Sequence, residues 1–114
     1  MLKIRKSKKV YFIQIRCVLL AEAMDHYIRI HCERGNKVVP HLYRNTLCNL
    51  KKKLFHPQFE QVSRSHIIDA TKMEYYDEED NCFVTTNNHR IQLFRKLSTD
   101  NLLDDDDYGD EDLK

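Results

Sequence analysis

The sequence predicts a mostly β domain, with antiparallel strands in small sheets and one clear α-helix. Short runs rich in β-branched and aromatic residues recur along the 114-residue chain, and clusters of turn-forming residues separate them. Leucines at spacings of three and four occur in one segment, residues 47–54. No other stretch has a helical pattern, so the repeated helices of βαβ units are not expected.

The first half of the chain contains five predicted strands. They cover residues 2–6, 10–15, 18–21, 27–32 and 38–44. Residues 22–26 break the apolar pattern, so we expect the third strand to end before them. Residues 34–37 are the best hairpin turn, because their Gly and Asn accept positive φ. Pro40 confines the fifth strand to a sheet edge or a bulge, since proline cannot donate to a β-ladder.

The one predicted helix follows these strands. Its apolar stripe consists of Leu47, Leu50 and Leu54. Asn45 or Thr46 supplies the N-cap, Tyr43 is a possible extension of the helix, and Pro57 stops it. Lysines 51–53 lie near its C-terminal end, where cations suit the helix dipole. They form either a solvated face or a patch that contacts phosphates.

The pattern of residues 59–69 predicts a single strand that is amphipathic at its start and buried at its end. Ile67 and Ile68 are consecutive, so their side chains lie on opposite faces of a strand, which indicates burial on both faces. Arg64, between Ser63 and Ser65, interrupts the apolar pattern where a charged side chain should project. A charged residue at this position is unfavourable for a core but suits a side chain that is exposed and donates hydrogen bonds.

The remaining predicted strands lie near the end of the chain. Residues 73–76 and 82–86 form a hairpin around the polar turn 77–81, and residues 91–94 form the last strand after a turn at 87–90.

The net charge of +1 conceals a division between the two ends of the chain. Residues 1–99 contain 18 Lys and Arg against 10 Asp and Glu, which gives +8, whereas residues 100–114 contain one Lys against eight acids, which gives −7. We therefore divide the chain into a folded domain, residues 1–99, and an acidic disordered tail, residues 100–114. A body of this charge attracts polyanions.

Composition argues against several classes of protein. None of the four cysteines (Cys17, Cys32, Cys48 and Cys82) lies in a Cys-x-x-Cys pair, so we expect small buried or half-buried thiols in a reducing cytosol, with a disulfide framework or zinc site as the alternative. The six histidines lack ligand-like spacing, and no metal or other cofactor is expected. There is no Gly-rich phosphate loop and no carboxylate pair suited to a cleft, so we expect neither an enzyme nor a small-molecule substrate.

The expected location is the cytoplasm, with no membrane partner. No apolar run approaches the ~18 residues that a membrane span needs. The first residues, Met1-Leu2-Lys3-Ile4-Arg5-Lys6, lack the apolar segment of a secretion signal.

Four motifs occur in order between residues 3 and 99. They are Leu20-Ala21-Glu22-Ala23 followed by Asp25-His26-Tyr27-Ile28, the helix leucines after Thr46, the segment 59–69, and Leu93-Phe94-Arg95-Lys96. In this order and spacing they resemble LytTR-type DNA-binding domains, the output domains of many bacterial response regulators. In that family a Phe is followed shortly by Arg-Ser, two aliphatic residues and usually Asn.

The resemblance implies a largely β fold that inserts loop side chains into successive DNA grooves. It maps the family's base-contacting positions onto His26, Arg64 and Arg95, and it makes Ser63, Ser65 and Lys96 candidates for phosphate contacts. Arginine suits base reading because its planar fork meets guanine O6 and N7 with two hydrogen bonds. The alternatives are surface ion pairing for the two arginines and a loop histidine without a role for His26.

Three positions depart from the family pattern. Asp69 replaces the usual Asn, Ser63 replaces a common His, and Phe94 stands where Ser is frequent. These departures bear on the DNA target and leave the expected fold unchanged.

The function that follows is sequence-specific binding of double-stranded DNA by a bacterial transcription regulator. The resemblance implies repeated DNA elements that bind two copies, and either a stand-alone regulator or the output domain of a longer response regulator. The alternative is a protein-interaction module that partners a receiver domain or polymerase without reading DNA.

Overall fold

The computed structural model describes residues 1–102, which contain ten strands and one α-helix. The strands are β1 (Leu2–Lys6), β2 (Lys9–Ile13), β3 (Val18–Met24), β4 (Tyr27–Arg34), β5 (Lys37–Arg44), β6 (Phe59–Ser63), β7 (His66–Asp69), β8 (Met73–Asp77), β9 (Cys82–Thr85) and β10 (Arg90–Gln92), and the helix is α1 (Leu47–Lys53). Single 3-10 turns occupy Ile15–Cys17, Ala70–Lys72 and Thr99–Asn101. The mostly antiparallel β prediction is confirmed.

A five-stranded antiparallel sheet in the order β5-β4-β3-β7-β6 forms the middle of the domain. Its two faces carry separate apolar clusters. Ala21 and Ile67 belong to the cluster that includes residues of β1 and α1. Leu20 and Ile68 belong to the other cluster, which includes residues of β9 and β10. Ile67 and Ile68 thus pack in different clusters on the two faces of the sheet, as their alternation along the strand predicts.

Two smaller sheets cover the faces of the central sheet. The β1-β2 hairpin lies with α1 on one side, and the three-stranded sheet β10-β9-β8 lies on the other. Pro40 is in β5, which is an edge strand of the central sheet, as predicted. The hairpin turn at residues 34–37 also has the predicted position, and Gly35 there has a φ of 60°.

Helix α1 begins as its capping residues predict. The Thr46 side chain accepts a hydrogen bond from the Asn49 N–H at 3.2 Å, and the Asn45 side chain accepts one from the Thr46 N–H at 2.8 Å. Leu50 is fully buried and belongs to the first cluster. Tyr43 does not extend the helix. It belongs to β5, where strand pairing with β4 takes precedence over its helical spacing from Leu47.

The prediction of one strand over residues 59–69 is wrong. The segment is a hairpin of β6 and β7 with Arg64 and Ser65 at its turn. The turn closes through side-chain chemistry, because the Ser63 hydroxyl accepts a hydrogen bond from the Ser65 N–H at 3.0 Å. Arg64 projects from this turn rather than from the middle of a strand.

Three further expectations are corrected. Strand β3 continues to Met24, because Arg29 and His31 contact the buried carboxylate of Glu22 and offset the cost of its burial. The last strand ends at Gln92, so Leu93 and Phe94 lie outside it. Cys48 is exposed on α1, since it lies on the side of the helix away from Leu47 and Leu50.

The described part of the chain ends shortly after the start of the predicted acidic tail. Leu102 is partly buried against the second cluster. The rest of the tail, residues 103–114, lies outside the described residues. None of the helices within residues 1–102 is long and apolar enough to cross a membrane.

We expect Leu50→Ala to lower the free energy of unfolding by about 2–5 kcal/mol, because it leaves a cavity where α1 meets the sheet. Urea titration followed by circular dichroism measures this change. The matched control is Lys52→Ala on the exposed side of the same helix, for which the change should stay within about 0.5 kcal/mol. Equal losses from both variants would contradict the placement of α1.

Candidate nucleic-acid interface

The first segment of the candidate interface is the two-residue turn between β3 and β4. Met24 pairs with Tyr27, so Asp25 and His26 alone connect the strands. Asp25 has a φ of 56°, a left-handed conformation that Asp tolerates better than most residues. Both side chains are exposed.

The second segment is the β6–β7 turn, in which Arg64 is exposed. The Ser65 carbonyl accepts a hydrogen bond from the Ala23 N–H at 2.8 Å, so this turn is attached to the end of β3. The Ser63 hydroxyl lies 2.7 Å from His66 Nδ1 and also accepts the Ser65 N–H. Two protein groups therefore already engage the Ser63 hydroxyl, whereas Ser65 is half-buried.

The third segment follows β10 and contains Phe94, Arg95 and Lys96, all exposed. The Phe94 N–H donates a hydrogen bond to Glu22 Oε1 at 2.7 Å, which fixes the segment against β3. Arg95 Nη2 lies 3.5 Å from Asp25 Oδ1 in the first turn. The Arg95 carbonyl accepts a hydrogen bond from the Asn81 side chain at 3.3 Å.

A buried carboxylate lies beneath these segments. Glu22 is completely buried, and its Oε2 lies 2.9 Å from His31 Nε2 and 3.5 Å from Arg29 Nε. His66 Nε2 lies 3.7 Å from Oε1. Burial alone would raise the pKa of Glu22, but contacts with His31, His66 and the Phe94 N–H, together with the charge on His31, lower it to about 2. The carboxylate therefore stays ionised and holds β4, β7 and the Phe94 segment together.

Three adjoining depressions surround Arg64 at this end of the central sheet. The first is bordered by His26 and Arg44, the second by Asp25, Ser65 and Arg95, and the third by Ser63 and Lys51. The structure thus brings five of the six predicted site residues to one surface. Lys96 borders none of the three depressions, although it directly follows Arg95.

The sequence interpretation missed two residues of this surface, Asp25 and Arg44. Lys51, which borders the third depression, belongs to the helix lysines for which a phosphate-contacting patch was one of the two alternatives. Arg44 had a usable signal. The hairpin turn at residues 34–37 pairs Arg34 with Lys37, and counting back along both strands places Arg44 opposite Tyr27, beside the first turn. The Arg44 guanidinium lies 5.9 Å from the centre of the Tyr27 ring. Arginine and lysine side chains at strand ends can donate to bases and phosphates.

We expect Glu22→Gln to destabilise the protein at pH 7 by on the order of 3 kcal/mol, which follows from a pKa lowered from 4.5 to about 2. Because the folded pKa is below the unfolded one, the ionised carboxylate stabilises the fold above pH 4.5, and this contribution is lost as the pH falls through about 2. Chemical denaturation from pH 7 to pH 2 should therefore show the two proteins converging.

The control for this prediction is Glu60→Gln, which removes the same charge from an exposed position of β6. Its unfolding free energy should follow that of the unmodified protein within about 0.5 kcal/mol at every pH. A Glu22→Gln deficit that stays constant down to pH 2 would show that lost packing, not charge, causes it.

Comparisons with known proteins agree with this architecture. The chain is similar to the LytTr DNA-binding domain of a Bacillus cereus protein described as a methyl-accepting/DNA response regulator, with a TM-score of 0.59 and 16% sequence identity over 79% of this chain and 82% of the other. No curated protein matches the chain. A family model for the LytTr DNA-binding domain matches residues 8–100. The chain therefore belongs to the LytTr DNA-binding domain family.

Proposed function

We propose that this chain regulates transcription by reading the sequence of double-stranded DNA through His26, Arg64 and Arg95. Membership of the family implies DNA binding by a transcription regulator that is not an enzyme. The observation that supports base reading is the convergence of three segments, distant in sequence, on one end of the central sheet around the exposed Arg64.

Each proposed contact follows from the chemistry of the side chain. Arg64 projects from the β6–β7 turn and offers a guanidinium fork to guanine, and Arg95 offers a second fork from the neighbouring segment. His26 donates to or accepts from a base edge. In this arrangement Ser65 and Lys96 contact phosphates, which position the protein without reading sequence. The Ser63 hydroxyl already contacts His66 Nδ1 and the Ser65 N–H, so it contributes a phosphate contact only in addition to these two.

We further infer that repeated DNA elements bind two copies of the chain, that residues 1–99 are the DNA-binding unit, and that the protein acts in the cytoplasm, where bacterial DNA lies. The charge of residues 1–99, +8, supports attraction to phosphates, and the −7 of residues 100–114 opposes it.

One observation favours the alternative of a protein-interaction module. Phe55, just after α1, is 88% exposed beside an apolar groove bordered by Leu54 and Phe59. Exposed apolar surface of this kind is typical of protein contacts. A gel shift over a range of salt concentrations separates the two functions, because DNA binding weakens steeply with salt and favours one fragment.

We expect Arg64→Ala to weaken binding to the preferred DNA by about 1–3 kcal/mol and binding to random DNA much less. The preferred DNA comes from a binding-site selection with the unmodified protein. Arg34→Ala is the matched control, because Arg34 is an exposed arginine at the opposite end of β4. Equal losses on preferred and random DNA would reassign Arg64 to a phosphate contact.

We expect Arg95→Ala and His26→Ala to relax base preference at two different parts of the site, because their side chains border different depressions beside Arg64. Binding-site selection with each variant measures this. If both variants select the original site with the original affinity, neither residue reads a base.

A further inference from the structure

Asp25 places a carboxylate within a surface that otherwise carries cations. Its side chain is 77% exposed. Among the described residues that border the first two depressions around Arg64, Asp25 is the one acid. DNA phosphates repel such a charge, and binding without sequence preference is almost wholly electrostatic. The carboxylate therefore opposes this mode of binding.

The turn itself does not require the charge. Asp25 has a φ of 56°, and Asn adopts this left-handed conformation as readily as Asp. Asn and Gly are also common in two-residue hairpin turns. The backbone thus accounts for a short polar residue at this position but not for an ionised one.

The contact that uses the charge is with Arg95. Oδ1 of Asp25 lies 3.5 Å from Nη2 of Arg95, and the Arg95 guanidinium lies 5.4 Å from the centre of the Phe94 ring. The Phe94 backbone is itself held by Glu22. Arg95 is therefore held by a carboxylate and by an aromatic ring, and its side chain is still 50% exposed. A guanidinium has five N–H donors, so the remaining donors are free for a base.

We propose that Asp25 is a specificity-determining residue, which orients Arg95 toward a base edge and opposes its use as a general phosphate contact. The inference rests on the proposed function, because it needs Arg95 to face DNA. An arginine that is already oriented loses less freedom when it meets a guanine, so the benefit falls on the preferred site. A free arginine would instead pair with any phosphate within reach.

The test uses the full chain as four proteins: unmodified, Asp25→Asn, Arg95→Ala and the double variant. Fluorescence anisotropy measures the affinity of each for the preferred DNA and for random DNA between 50 and 300 mM salt. We expect Asp25→Asn to bind random DNA about 5-fold more tightly at the lowest salt. We also expect the ratio of preferred to random affinity to fall about 5-fold or more, and no such fall when Arg95 is already alanine.

Glu33→Gln is the control, since it makes the same carboxylate-to-amide change near the far end of β4, about 25 Å along the strand. It should leave the affinity ratio unchanged. A rise in affinity that is equal for both DNAs in Asp25→Asn would overturn the inference, because the carboxylate would then act only by repulsion. A fall in the ratio that persists without Arg95 would also overturn it, since Asp25 would then act on the DNA directly.

The unmodified protein separates this inference from the proposed function. If it shows no preferred site in selection, the base-reading function fails, and the role of Asp25 fails with it. If it prefers a site and Asp25→Asn keeps the same ratio, the function stands and only the role of Asp25 is rejected.

Discussion

The ionised carboxylate of Glu22 connects parts of the chain that are far apart in sequence. It lies on β3, contacts His31 of β4 and His66 of β7, and accepts the N–H of Phe94 after β10. An unpaired buried charge would cost several kcal/mol, so these partners must be in place for the fold to form. The turns of the candidate interface adjoin the strands and the segment that Glu22 connects. Their mutual arrangement therefore depends on this one group.

The interface needs such a group because its segments contribute little packing of their own. His26, Arg64 and Arg95 are all exposed, so no apolar core orders their side chains. The order comes instead from backbone hydrogen bonds that end on β3, at Ala23 and at the Glu22 side chain. Strand β3 is the middle strand of the central sheet, with both faces covered. The exposed side chains of the candidate interface are thus attached, through these hydrogen bonds, to a strand that is covered on both faces.

The sequence predicts much of this fold from local signals. The Gly35 turn sets the register of β4 and β5, and the leucine spacing with Thr46 locates α1, because these signals act within a few residues. The turn at Arg64 and Ser65 was not predictable in this way, since it contains neither Gly, Pro nor Asn and closes through the Ser63 hydroxyl. Glu22 looked like the end of a strand because its partners come from other elements. The convergence of Arg64 and Arg95 was accessible only through resemblance, as pairing between distant segments has no local pattern.

Pro40 has a consequence for association between molecules through the edge of the central sheet. Strand β5 is an outer strand of the central sheet, and Pro40 lacks the N–H that another residue would offer there. Unprotected outer strands are templates for sheet-to-sheet association and aggregation. A strand of another molecule that approached β5 would therefore lack one donor for a continuous ladder at Pro40. A single residue thus protects this edge of the central sheet against extension by another chain.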